Sequence, residues 1–192
     1  GLEVTDGPNI DLARIVAAQA LAWVPPGMYG TGLFNQFCRL NPQLSVAFPI
    51  LRKDPGRPKL TEVLLRRRRD DEVYSRQYGV EANVALNGEG DFDIIGRMLR
   101  PLNVSFHRAV ELYPARFFMR EERGSWRHLV FYVEVDGEPT LKEGDGRGWF
   151  NINNLPEEDM VPHHRDRVLK PVLRYLGRCA AYDQALEVQR NI

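Results

Sequence analysis

The chain has 192 residues, 43% of them hydrophobic, with 26 Lys and Arg set against 26 Asp and Glu. That apolar content suffices for one core of ordinary size with appendages, and the balanced charge gives no electrostatic reason to wrap duplex DNA or coat an anionic membrane. No apolar run nears the ~20 residues that span a bilayer, no basic-then-apolar leader opens the chain, and Cys38 and Cys179 lack zinc-pair spacing, so a reduced cytoplasmic setting is expected.

Asn9 can cap a helix over 10–23, where Leu12, Ile15, Val16, Gln19 and Trp23 share a face and Pro25-Pro26-Gly27 ends the element. A second helix over 32–40 presents Leu33, Phe34, Phe37 and Leu40, and both helices need a surface to pack on. From Leu44 the period becomes extended. Residues 45–52 read as a strand that Pro49 confines to an edge or a bulge, Asp54-Pro55-Gly56 as a turn, and 61–67 as the next strand. The run Arg66 to Glu72, RRRRDDE, reads as a solvated strand end whose acids nearly cancel its arginines, with a phosphate grip as the alternative.

A short strand over 81–86 leads to a helix over 91–100, on which Phe92, Ile95, Leu99 and then Leu102 recur at helical spacing and commit that face to the core. Strands follow over 104–112 and 115–121. The plainest strand is 126–135, where Leu129, Phe131, Val133 and Val135 point one way and His128, Tyr132 and Glu134 the other. After a last strand over 148–152, Pro162 opens a helix bearing Val168, Leu169, Val172, Leu173 and Leu176, which Pro171 should kink or split. Gly177 allows a break before a final helix over 180–189. The element order predicts an α/β domain over 44–176, a mixed sheet between helices, with helical extensions over 1–43 and 177–192.

The segment from Gly88 to Val104, GEGDFDIIGRMLRPLNV, resembles the box of the Nudix family. That box runs glycine, five residues, glutamate, seven residues, then Arg-Glu-aliphatic-any-Glu-Glu-any-Gly-aliphatic, and forms a loop, a helix and a loop. Glu89 and Arg97 hold the glutamate-to-arginine spacing, Leu99 and Val104 take the aliphatic places with one residue missing from the helix end, and Gly79 stands for the opening glycine, nine residues before Glu89 instead of five. Met98, Pro101 and Leu102 fall at or beside the positions of the remaining glutamates. Trp149-Phe150 with Asn154-Leu155-Pro156-Glu157 is similar to the family's closing strand and turn, and Glu62 to Arg68 to its early strand with a basic end. The resemblance implies a Nudix-like fold and, ordinarily, hydrolysis of nucleoside diphosphate derivatives with Mg2+ or Mn2+. Thioether, pyrrolidine and isobutyl groups cannot hold a hard cation or activate water, so the ordinary metal site is missing on this alignment.

Three readings therefore stand. The first is a degenerate Nudix-fold protein binding a nucleotide-like or other phosphorylated ligand on a sheet face built from Arg116, Phe118, Arg120, His128, Tyr132 and Glu134, with Trp126 beside them. The second is an active metal-dependent hydrolase with Glu89, Asp93 and Arg97 as catalytic groups and Glu89 and Glu134 as metal ligands. The third is an interaction scaffold, a homodimer through the N-terminal helices. Simple chemistry supplies bland alternatives: Asp91 and Asp93 favour the positive end of a helix, Arg97 pairs structurally with Glu89, and terminal helices cover the sheet face through Trp23 or Phe37. Adjacent histidines point about a third of a turn apart, so His163-His164-Arg165-Asp166 reads as an exposed helix start and not as a shared metal site.

Overall fold

The computed structural model describes residues 10–24, 31–86, 88–121 and 124–190. Among the described residues the strands are β1 (Gln43–Phe48), β2 (Ile50–Asp54), β3 (Arg57–Arg67), β4 (Tyr78–Gly79), β5 (Glu81–Val84), β6 (Ser105–Glu111), β7 (Phe117–Glu121), β8 (Gly124–Asp136) and β9 (Arg147–Asn151). The helices are α1 (Ile10–Ala22), α2 (Thr31–Leu40), α3 (Asp91–Leu99) and α4 (Lys170–Arg190). Among the described residues no helix is long and apolar enough to cross a membrane.

Pro49 divides what the hydrophobic pattern reads as one strand. A proline cannot donate to a ladder, and on either side of it the chain joins different sheets. β1 enters a mixed sheet of order β5-β1-β8-β6 with β7 also on β8, while β2 joins an antiparallel sheet in which β2 and β9 flank β3 and β4 pairs with the end of β3. β1 runs parallel to β8, with Ser45 opposite His128, and the other pairings in the mixed sheet are antiparallel.

The period-2 pattern of β8 feeds two cores. Phe131 and Val133 pack with Val46, Phe48, Ile50 and Leu64 beneath α3, which contributes Ile94, Ile95, Met98 and Leu99. Val130 packs on the other side with Ala47, Val63, Leu65, Val80 and the helix residues Val168, Leu169 and Val172. Each of these large side chains contributes about 1.5–3 kcal/mol by leaving water. Leu102 is buried as its spacing requires, but Phe92 is exposed, its ring only touching Phe106 and Phe131 edge-on.

The C-terminal helices are one element. Pro171 causes no break: a π-helical stretch, His164–Leu169, precedes it, and the Lys170 N–H reaches back to the Arg165 carbonyl, so the widened turn admits a residue that has no N–H. From there α4 continues through Gly177 to Arg190, since a single glycine in a helix costs only ~1 kcal/mol. At the other end of the chain, α2 docks on β8. Gly124 holds φ at +147°, and a Cβ there would sit 1.9 Å from the Cys38 carbonyl oxygen, so only glycine lets the end of α2 come this close. α1 leaves Ile15, Val16 and Trp23 largely in solvent, Trp23 at 88% exposure, so Trp23 does not cover the sheet.

Candidate functional site

The box-like segment builds a structural clamp. Arg97 donates to both carboxylate oxygens of Glu89, Nε at 2.7 Å and Nη2 at 3.0 Å, and Nη2 also donates to the Val84 carbonyl at 2.7 Å. Glu89 accepts the Leu86 N–H at 2.8 Å as well, and the Arg97 guanidinium above all holds its carboxyl below the usual range. The pair thereby ties the end of β5 and the following loop to α3. Asp93 accepts the N–H of Gly90 at 2.9 Å and closes the helix start. Met98 and Leu102 are core residues, and Pro101 lies in the tight turn that follows α3. The side chains of Met98, Pro101 and Leu102 offer no hard oxygen for Mg2+, and the Glu89 and Asp93 carboxylates are bonded within the segment.

Glu134, the second metal candidate, is engaged elsewhere. It accepts the Tyr132 hydroxyl at 2.8 Å and Arg108 Nη1 at 3.2 Å, and it meets His107 Nε2 at 2.9 Å. It shares the α4 side of β8 with Tyr132, whose ring meets Tyr175 at 5.6 Å, whereas the helix that Glu89 precedes covers the opposite side. The structure thus joins Glu89 to Arg97 and leaves Glu134 in a different network. Among the described residues no group of three or more His, Cys, Asp or Glu is placed to hold a metal ion.

The expected ligand face is displaced by one residue. Phe117 pairs with His128 and Met119 with Trp126, so these share a face, while Phe118 opposes Arg127 and is exposed with Arg120. A period of two makes a one-residue shift in register equivalent to turning the strand over. Arg116 lies before β7, forked on Glu111 with Nη2 to Oε2 at 2.9 Å and stacked 4.1 Å from the Tyr113 ring centre. Tyr132 remains on the face of His128, its hydroxyl pushed up to about 12 by burial and then by Glu134.

What His128 does line is a cavity of about 210 Å3 on the α4 side of the sheet, reached also by Arg66, Arg68, Glu72, Asn83, Trp126, His163 and His164. The histidine pair is buried, not exposed as expected, because the helix start turns inward against β4. The His164 ring lies so near Gly79 that a Cβ there would fall 2.6 Å from Nδ1. Gly79 is therefore required as a gap for a histidine. His128 stacks on Phe117 at 4.5 Å and lies 5.7 Å from the His163 ring, which is 4.7 Å from His164. Among the described residues, neither ring nitrogen of His128, nor Nδ1 of His164, has a hydrogen-bond partner.

All three imidazoles are held neutral. Burial drives His128 down to about 4, and burial together with the charges of His128, Arg68 and Arg167 brings His163 to about 3. Burial dominates again at His164, helped by His163 and Arg68. Across the cavity Glu72 accepts both Arg66 Nη groups, at 3.0 and 2.7 Å, and the Arg69 N–H at 2.7 Å. Burial pushes the Glu72 carboxyl up, but the Arg66 fork and the Arg69 N–H outweigh it and leave it at about 2. The wall after β3 is a strained turn, with Tyr74 and Arg76 at φ 58° and 62°, braced by Arg68 Nη1 on the Val73 carbonyl and Arg67 Nε on the Arg76 carbonyl.

No family model and no curated protein matches the sequence. Solved structures do. A mutT/nudix family protein from Listeria innocua aligns with TM-score 0.58 at 14% identity, over 74% of this chain and 99% of that one. A MutT NUDIX hydrolase from Burkholderia pseudomallei aligns at 0.52 with 20% identity, over 65% and 94% of the two chains. A NUDIX hydrolase from Nitrosomonas europaea aligns at 0.53 with 16% identity, over 71% and 90%. The chain has the Nudix fold.

On this Nudix fold the box-like helix is a core and clamp element, and the undischarged polar groups lie on the other side of the sheet. Arg66, Arg68, His163 and His164 were each visible in the sequence as a basic run and a histidine pair. Their common signal is spatial: β3, the turn beyond it and the start of the last helix converge on His128.

Proposed function

We propose that this Nudix-fold protein binds a nucleotide-like or other phosphorylated ligand in the histidine-lined cavity and carries out no box-dependent hydrolysis. The observation that carries this reading is the cavity itself, where Trp126, Phe34 and His128 supply flat surfaces for a base and Arg68 supplies a cation for a phosphate. Its volume lies below the ~300 Å3 at which whole small-molecule sites begin, so it suits one moiety of the ligand and leaves the rest outside. Mg2+ or Mn2+ would enter with the ligand's own phosphates, since the Glu89–Arg97 fork consumes the box carboxylate.

The test is a panel of nucleoside diphosphate sugars, dinucleotides and nucleoside triphosphates, with and without Mg2+ or Mn2+. A ligand selective for the fold must raise the unfolding temperature, and the expected result is a shift with at least one compound and no monophosphate or phosphate release. Turnover that Glu89→Gln abolishes would replace this reading with the hydrolase. A homodimer through the N-terminal helices is the accompanying proposal, supported by the exposed apolar residues Ile15, Val16 and Trp23 of α1. A monomer by sedimentation at high concentration would remove it.

A further inference from the structure

We propose that the cavity takes up its oxyanion together with a proton, and that the proton settles on His163. The inference rests on the cavity being the ligand site and names the anion's chemistry, a tetrahedral dianion such as a terminal phosphate, and the condition under which it is held.

The cavity lies at the start of a helix that runs from Pro162 to Arg190. Its first turn presents the positive end of the helix dipole, and proline there sacrifices no needed donor. A second, independent feature marks the place as a ligand site. His164 is 3% exposed and His128 6%, both line the cavity, and their partnerless ring nitrogens are buried polar atoms whose desolvation is uncompensated.

The chemistry of imidazole then sets the linkage. A neutral ring offers one N–H and one lone pair, and an oxyanion only accepts, so a lone pair turned toward it repels. Protonation makes His163 a double donor. In the empty cavity that proton is disfavoured by burial and by the cations around the ring: Arg68 from the turn after β3, and Arg167 from its own helix, stacked 5.2 Å from Phe117. The other groups facing His163 are the neutral rings of His128 from β8, His164 from the same helix and Tyr74 from the turn. Of the cavity carboxylates, Glu72 is committed to Arg66, and Glu121, at the end of β7, also lines the cavity. An incoming dianion reverses the field and leaves a paired charge where an isolated one was forbidden. By reciprocity the proton strengthens the anion as much as the anion strengthens the proton.

The decisive probe is sulfate, whose charge is constant between pH 5.5 and 7.5, so that any pH dependence belongs to the protein. Isothermal titration calorimetry in two buffers of different ionisation heat counts the protons. The expected result is uptake of about one proton per sulfate and an affinity that rises about tenfold for each unit the pH falls. His163→Asn should abolish the uptake and flatten the pH profile, while Lys59→Ala, on the exposed start of β3, leaves both unchanged. Because His163→Asn alters a packed site, the wild-type proton count stands as a test without it. Sulfate binding with no proton uptake would overturn this inference and leave the proposed ligand site standing. Nucleotide binding without sulfate or phosphate binding would do the same. No binding by any of these would end both.

Discussion

The two sides of β8 are built from alternate residues of one strand yet do different work. Toward α3 it shows Leu129, Phe131, Val133 and Val135, and everything opposite is apolar, including Met98 and Leu102 at the positions where the resembled box would carry acids. Toward α4 it shows Trp126, His128, Tyr132 and Glu134, and there polar groups are buried, bonded to one another or without partners. The α3 side is closed by packing, whereas buried polar groups without partners among the described residues collect on the α4 side. Native interiors satisfy nearly all buried polar atoms, so the partnerless nitrogens of His128 and His164 are the more informative anomaly.

The largest effect expected from this contrast comes from acid. In the unfolded chain the three histidines protonate near pH 6.5, but in the fold His128 and His163 wait until about 4 and about 3, and His164 is also held well down. Between those values the unfolded state binds more protons, so stability is full above pH 6.5 and falls as pH drops, by about 1.4 kcal/mol per pH unit for each histidine. Urea unfolding at pH 7 and pH 5 measures it. A flat profile over that range would show the α4 side to be no different from the α3 side. Glu72 does not confound the pH 7 to pH 5 comparison, because its stabilisation is present above the ordinary carboxylate range and is lost as pH falls from there to its folded value of about 2.

Met98→Glu tests the other side by restoring an acid to α3. Its position is 7% exposed within the core, so a carboxylate there should cost about 3 kcal/mol or more. Neither Mg2+ nor Mn2+ should recover the loss in a thermal melt. Recovery by metal would mean that the helix retains a latent ion site, and the contrast between the two sides would collapse.

The smallest effect belongs to the clamp. Glu89→Gln removes the charge from a partly buried fork and should cost about 1–2 kcal/mol at neutral pH. The Arg97 guanidinium holds the Glu89 carboxyl below its usual value, so its contribution is present above the ordinary carboxylate range and is lost as pH falls through the lowered one. The difference between variant and parent should therefore vanish in strong acid, and added metal should not alter it at any pH.

Much of the fold was legible because periodicity reports burial directly. The alternation in 126–135 foretold the core beneath α3 but not the second one around Val130, and the helical spacing of Ile95, Leu99 and Leu102 foretold the α3 interface. Local rules failed where a neighbour overrode them. Phe92 obeys the helical period but meets the sheet edge-on and stays exposed, Pro171 is absorbed by a π turn, and the register of β7 depends on the strand beside it. Of the candidate site, the Glu89–Arg97 pair was readable because eight residues, about two turns, set both on one side of α3, where the long Arg97 side chain reaches back to Glu89. His163 and His164 misled, since an adjacent pair at a helix start looks solvent-facing until the cleft beside Gly79 admits it.

Side-chain type and spacing alone implied a mixed sheet between helices, and they set Met98, Pro101 and Leu102 at or beside the places where the resembled box carries acids. Only the tertiary structure decided where the unsatisfied chemistry lies. Arg66, Arg68, His128, His163 and His164 belong to three separate stretches of chain. Their low dielectric surroundings and mutual charges, which hold the histidines neutral, exist only when those stretches are folded together.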